Sequence, residues 1–393
     1  MTLSPESSDW SESQQNESRL YDSLRLARTD GVGPIAFRRL LRRYRSPAAA
    51  LAALPGLARA GGRASPPVIP ATETVAREHA ALRRLGGRFL VLGTPAYPPL
   101  LALLEDAPPV LAVLGDPAQL CRRAVAVIGS RNASVNGQRM AENLGAELAR
   151  AGLVVVSGLA RGVDAAAHRG ALAGGHTIAA VAGGLDVPYP PENADLQRRI
   201  ATAGAVVSEA PLGTAPLARH FPRRNRIIAG LSLGVVVVEA AARSGSLITA
   251  RLAIEAGREV FAVPGSPLDP RARGANDLIR QGAHLTEGAA DVLANLPDHP
   301  SREGLSRNPM FLRQTEIELA EPPAAAPEPE TSAAETAAAR AGLLDLLGPA
   351  PTPVDDLIRR CQFSAPAVMA ALLELELAGR LEMLPGNRVA RLA

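Results

Sequence analysis

The chain has 393 residues, with 42 basic side chains against 39 acidic ones for a net charge of +3, and every one of the 42 is arginine. The absence of lysine removes the P-loop lysine, Schiff-base chemistry and any Ser-Lys dyad, each of which needs an ammonium. Near-balanced charge means that a nucleic-acid partner must be met by a local patch. Cys121 and Cys361, alone and without a CxxC, provide neither a zinc site nor a disulfide framework, so no metal or other cofactor is expected.

Residues 1–18 are rich in Ser, Glu and Gln with no apolar signal core, and are expected to form a disordered tail. No run reaches about 18 apolar residues, so the chain is expected to be cytoplasmic. Residues 19–63 read as helical: Leu20, Leu24 and Ala27 precede a Gly31-Val32-Gly33-Pro34 break, and Ile35, Phe37, Leu40 and Leu41 come after it. The pattern is similar to a helix-hairpin-helix (SAM-like) domain, with a weaker second copy at Leu54-Pro55-Gly56-Leu57. Such hairpins offer backbone N–H groups to phosphates, and Arg38, Arg39, Arg42, Arg43 and Arg45 come next; the alternative is a small bundle with a solvated basic face. Residues 64–70 read as a linker, and 70–121 as a cover segment packed against the domain that begins at 122.

Between 122 and 296, apolar runs of strand length (Ala124–Ile128, Leu153–Val156, Thr177–Val181, Ala205–Val207, Val235–Val238, Val260–Val263) alternate with amphipathic stretches such as Gln138–Arg150 and Ser246–Ala256. β-Branched strands that alternate with helices predict an α/β domain with a doubly wound, Rossmann-like parallel sheet covered on both faces. A flexible linker is expected over 297–338, where Pro, Ala and Glu dominate from Glu321 onward. Residues 339–393 then give three helical segments (Ala339–Leu347, Val354–Arg360, Ala365–Ala378) and a hairpin, the pattern of a winged helix. Its third segment carries Glu374 and Glu376 and no arginine, which suits a protein-interaction module.

Ligands of open α/β sheets bind beyond the carboxyl ends of the strands, so the residues after each apolar run are the candidates. They are Gly129-Ser130-Arg131 after the first strand, Ser157-Gly158 through Arg161 after the second, Gly183-Gly184 after the third, and Glu239 with Gly245-Ser246 after the fifth. Gly and Ser at strand-to-helix turns leave N–H groups for an anion, helped by the helix N-terminus. A nicotinamide dehydrogenase is disfavoured because the first turn is GSRNAS in place of GxGxxG, and Ser157 stands where the ribose-binding acid belongs. Phosphoribohydrolase-like relatives of the sheet use a PGGxGT…E helix start that is absent here. Asp164, Asp186 and Glu239 nevertheless keep a nucleotide or phosphate-ester hydrolase as the alternative function.

The segment Arg219-His220-Phe221-Pro222-Arg223-Arg224-Asn225-Arg226 packs four arginines, one His and one Phe into eight residues. Guanidinium on phosphate and ring against base is how single-stranded nucleic acid is held. The competing reading makes Phe221 a core residue and has Asn225-Arg226 cap and brace the helix.

GSR, SGLARGVD, AGGLDVPYPPEN, SEAPLGTAP, HFPRRNRIIAGLS, VVVVEAAARSGSLITARLAIEAGREVFAVPG and GANDLIRQGA, in this order from about Ala124 to Ala283, resemble the DNA-processing protein A (DprA/Smf) family. The resemblance implies a cytosolic, homodimeric single-stranded DNA-binding protein that loads the RecA recombinase during natural transformation or recombination, without catalytic turnover. It further implies that Arg131 clamps a phosphate, that Gly245 and Ser246 line the same pocket and that Phe221 stacks on a base. Where the family commonly has a Lys, this chain has Ala218, which leaves Arg219, Arg223 and Arg224 as substitutes. The expected contact set is completed by Gly129, Ser130, Ser157, Gly158, Arg161, Gly184 and Asn225. Asp164 and His168 are expected to be structural, Asp164 capping the helix that carries His168.

Overall fold

The computed structural model describes residues 6–297 and 332–392. Two compact units divide them: one gathers the residues up to Arg77 with those from 332 onward, and the other begins at Glu78.

In the first unit, α1 (Glu6–Ala27), α2 (Pro34–Tyr44) and α3 (Pro47–Ala60) form the N-terminal helical module. Helix α1 starts inside the stretch expected to be a disordered tail, because no Gly or Pro interrupts positions 6–30 and nothing stops the helix from extending upstream of buried Leu24. The expected second hairpin copy is also absent. Helix α3 runs through Pro55 because Leu51, Leu54, Leu57 and Ala58 form one buried stripe, and the burial outweighs the lost N–H. The C-terminal winged helix comprises α13 (Ala333–Leu346), α14 (Val354–Arg360) and α15 (Ala365–Leu377), with a three-stranded sheet of β10 (Thr352–Pro353), β12 (Arg388–Arg391) and β11 (Leu381–Leu384). Helix α15 feeds two cores. Val368, Ala371, Leu372 and Leu375 pack with Leu343, Leu357 and Val389 of the winged helix, while Leu373 and Leu377 pack with Leu26, Phe37, Leu40 and Leu54 of the N-terminal module. Most of the expected linker, residues 298–331, lies outside the described residues.

Glu376 sits in this unit with its Oε2 shut off from solvent and unpartnered. Burial pushes its carboxyl up to about 7 from 4.5, against the lowering effect of Arg39 and the Met383 backbone and with a raising contribution from Glu382. A carboxyl that binds its proton more tightly when folded gives stability that is full below about pH 4.5 and lost as the pH rises to about 7. Denaturant melts of the unit should therefore show lower stability at pH 8 than at pH 5. Glu376→Gln should flatten the dependence, and an unchanged slope in that variant would assign it to another group.

In the second unit, the sheet order is β1-β2-β6-β5-β4-β3-β7-β8-β9. Strands β3 (Ala124–Ile128), β4 (Val154–Ser157), β5 (Thr177–Ala180), β6 (Ala205–Ser208), β7 (Gly234–Val237), β8 (Glu259–Ala262) and β9 (His284–Leu285) run parallel. Alternate residues serve opposite faces. Ala126 and Ile128 meet α9 (His220–Leu231) and α10 (Ser246–Glu255), whereas Val125 and Val127 meet α6 (Val135–Arg150) and α7 (Val163–Gly174). The doubly wound Rossmann-like reading is thus the observed architecture. The segment expected to be a cover instead extends the sheet, because β1 (Gly87–Val91) and β2 (Val110–Gly115) pair antiparallel with each other and β2 with β6. Apolar strands with a free β6 edge beside them satisfy their backbone groups by pairing.

Helices α6 and α7 cross closely: a Cβ added at Gly170 would lie 1.9 Å from the Glu142 carbonyl oxygen, and one at Gly145 2.4 Å from that of Ala167. This contact brings the turn that enters α6 beside the turn that enters α7. Strand β3 lies between β4 and β7, so the chain winds outward from it in both directions and leaves its switch-point crevice at the β3/β7 carboxyl ends.

Candidate nucleic-acid interface

The turn after β3 forms one wall of that crevice. Gly129 is required by crowding, since a Cβ there would sit 2.7 Å from Val163 Cγ2 and 2.9 Å from the Glu239 carbonyl oxygen. Ser130 turns its hydroxyl back to accept from the Asn132 N–H at 3.2 Å. Ser134 caps α6, accepting from the Gly137 N–H at 2.9 Å, and Glu239 fixes that cap by accepting from the Ser134 N–H at 2.9 Å and its hydroxyl at 2.5 Å. Arg131 then projects outward, exposed, with its guanidinium 4.7 Å from the centroid of the Phe221 ring.

Phe221 stands on the first turn of α9, half-buried, with Tyr189 5.9 Å away, the rings tilted by 59°, and the Arg224 guanidinium 5.8 Å from its centroid. The alternative of a core phenylalanine is therefore not the observed one. Tyr189 is a neighbour of the candidate site that residue-by-residue reasoning did not single out. Its signal was an aromatic inside the AGGLDVPYPPEN motif, in a chain with only 4 Tyr.

The remaining candidates fall into two groups. Arg219 and Arg223 are exposed, and so is Arg161, whose guanidinium pairs with Glu192. Gly245 is open, with no atom within 4 Å of an added Cβ, at the start of α10; beside it the Ser244 and Ser246 hydroxyls bond each other at 2.7 Å. These residues face outward at the carboxyl ends of β4 and β7 and at the head of α9.

The others face inward, with their polar groups taken up inside the protein. Ser157 is fully buried and donates to the Val127 carbonyl at 2.7 Å, tying β4 to β3. Gly158 gives its N–H to Asp164 at 3.2 Å, and Gly184 gives its own to the Thr214 carbonyl at 2.9 Å. Arg224 is 5% exposed and donates to the carbonyls of Gly158 and Ala180, the latter at 2.6 Å. A Cβ at Gly158 would occupy the space its guanidinium fills. Asn225 is buried on the inner face of α9. Arg226 braces the helix, donating to Glu209 Oε2 at 2.6 Å and to the Asp106 backbone at 2.5 Å.

The carboxylates are committed as well. Asp164 accepts from the Gly158 and Ala160 N–H groups and closes the loop that enters α7, its pKa raised by burial against the lowering effect of Arg224. Asp186 accepts from the Gly213 N–H at 2.8 Å. His168 is fully buried and held neutral, its pKa pushed down to about 3 by burial and then by Arg224. The Thr177 hydroxyl donates to the Val155 carbonyl, so His168 Nδ1–H donates to Thr177 at 2.7 Å, and His168 Nε2 has no partner. Asp164 and His168 therefore form no acid–base dyad.

A doubly wound sheet with exposed arginines and an aromatic pair gathered at the carboxyl ends of its strands, and with its carboxylates tied to backbone and hydroxyl donors, defines a domain of the Rossmann-like class. The chain belongs to the DNA recombination-mediator protein A family, whose core domain matches residues 88–297. The flanks match the DprA-like N-terminal HHH domain over residues 17–81 and the DprA winged helix domain over residues 323–387. It is 42% identical to Protein Smf of Escherichia coli over 302 residues, 75% of this chain and 74% of that one. It is 50% identical to DNA processing protein DprA of Streptococcus pneumoniae over 199 residues, 50% of this chain and 70% of that one. The X-ray structure of DNA processing protein A from Streptococcus pneumoniae superimposes with a TM-score of 0.56 at 41% identity, covering 65% of this chain and 84% of that one. Among the described residues no helix is long and apolar enough to cross a membrane.

Proposed function

We propose that this chain is a non-enzymatic recombination mediator that binds single-stranded DNA across the β3/β7 crevice. It acts in the cytoplasm as a homodimer and hands the strand to the RecA recombinase during natural transformation or recombination. The observation that carries the DNA reading is the Phe221 ring, set between Tyr189 and the Arg131 guanidinium and half open to solvent. Splayed bases need a π-face beside a cation fork, whereas a duplex needs none. The RecA and dimer parts rest on membership of a recombination-mediator family.

Binding should be strongly salt-dependent. With three or four phosphates met by Arg131, Arg219, Arg223 and the turns, log K should fall against log salt with a slope of about −2 to −3, from ~−0.7 per contact. Fluorescence anisotropy on an oligo-dT strand checks it; a salt-insensitive isotherm, or equal affinity for duplex, would overturn the reading. Against a hydrolase stand the three carboxylates, each occupied by backbone or hydroxyl donors. Steady release of base or phosphate from nucleoside monophosphates would restore that alternative.

A further inference from the structure

The N-terminal hairpin and the third helix of the winged helix are the two elements outside the sheet domain with the form of DNA readers, and they lie against each other. The hairpin turn faces the carboxyl end of α15: a Cβ at Gly31 would be 3.7 Å from the Leu377 carbonyl oxygen, and Arg63 donates to that oxygen at 3.3 Å while pairing with Asp30 at 3.0 Å. The Val32 N–H is spent on the Thr29 carbonyl. The negative end of a helix dipole at this turn has the wrong sign for a phosphate neighbour. The basic run is turned partly inward too, with Arg38 buried and Arg39 beside the carboxyl group of Glu376.

Helix α15 is apolar around most of its circumference, as expected of a helix covered on two sides. One stripe fills its own domain's core, and Leu373 and Leu377, one turn apart, enter the N-terminal core. The approach is tight at one point: a Cβ at Gly61 would lie 1.9 Å from the Glu374 carbonyl oxygen and 2.8 Å from Ala378 Cβ. We propose that the winged helix of this chain is an intramolecular docking module, whose third helix takes the chain's own N-terminal helical module as its partner in place of DNA. The two ends of the chain are thereby clasped into one body that joins the sheet domain through two connections. This inference does not depend on the reading of the β3/β7 crevice.

Gly61 provides a selective test. Its φ of −68° and ψ of −6° suit alanine, so Gly61→Ala meets no local backbone strain and only the tail helix opposes it. Gly56→Ala, in the same helix with nothing within 4 Å, is the control. In the full-length protein, hydrogen–deuterium exchange should become at least tenfold faster in both 47–60 and 365–377 for Gly61→Ala and stay unchanged for Gly56→Ala. Leu373→Arg, which alters the contact from the other side and spares the winged-helix core, should reproduce the effect. Oligo-dT and duplex affinities should remain within twofold of the parent in all three variants. Unchanged protection in both Gly61→Ala and Leu373→Arg would overturn the docking. A tenfold gain in DNA affinity on release would identify masked DNA readers instead, and a tenfold loss would place the tail in the DNA site; either overturns the proposal.

Discussion

Phe221→Ala is expected to weaken single-strand binding by about 1–3 kcal/mol, roughly a 5- to 150-fold rise in Kd, through loss of base stacking. Arg131→Ala should weaken binding to all sequences alike, because a phosphate contact carries no base information. The two losses should not simply add. Arg131 lies 4.7 Å from the Phe221 centroid, so each side chain helps hold the other in place before any strand arrives. A double-mutant cycle should return a coupling of about 0.5–1 kcal/mol, the range for a cation over an exposed ring. Titrations of the two single variants and the double variant with oligo-dT measure it. Parent-like affinity in both single variants would relocate the site away from the crevice, and strict additivity would mean that the ring and the guanidinium meet the strand independently.

The sheet was legible because each of its central strands is a short β-branched run buried on both faces, and the switch point could be read from the residues at the strand ends. Arg131 stands out in the sequence at a strand end and Phe221 through the arginine-rich run around it, and the fold sets the two 4.7 Å apart. Which way each neighbour turns was not legible. The head of α9 carries Arg223 and Arg224 side by side, and one-residue steps of about 100° put them on different faces of a helix whose orientation only packing decides. The tail posed the same problem in apolar form. A helix with leucines on nearly every side does not reveal which stripe meets its own domain, so the second partner, reached through Leu373 and Leu377, was invisible in sequence. Pro55 and Gly56 imitate a hairpin break in the sequence, whereas the buried stripe around them carries the helix through.

Arg223 and Arg224 are expected to fail in opposite ways when each is replaced by alanine. Arg223 is exposed, so Arg223→Ala should change stability by less than about 0.5 kcal/mol while removing a phosphate contact and lowering the salt slope by about 0.7. Arg224 is the buried brace beneath the aromatic pair, 5.8 Å from the Phe221 centroid, and its guanidinium ties the Gly158 turn to the end of β5 through the Ala180 carbonyl. Removing it strands those carbonyls and leaves buried Asp164 without its balancing charge, which should cost about 3–5 kcal/mol of stability. Burial pushes the Arg224 pKa down to about 10, so it remains charged at neutral pH. A lysine there would not be equivalent. It starts near 10.4, and a similar desolvation would lower it to about 8. A folded pKa below the unfolded one means that the variant's stability rises with pH between those two values, so Arg224→Lys should be weakest near pH 7 and recover toward pH 10. Urea melts across that range, with the parent as reference, decide the matter. Parent-like stability of Arg224→Ala would remove the brace from the site, and a flat pH profile for Arg224→Lys would mean that water reaches the pocket and that the guanidinium is not desolvated.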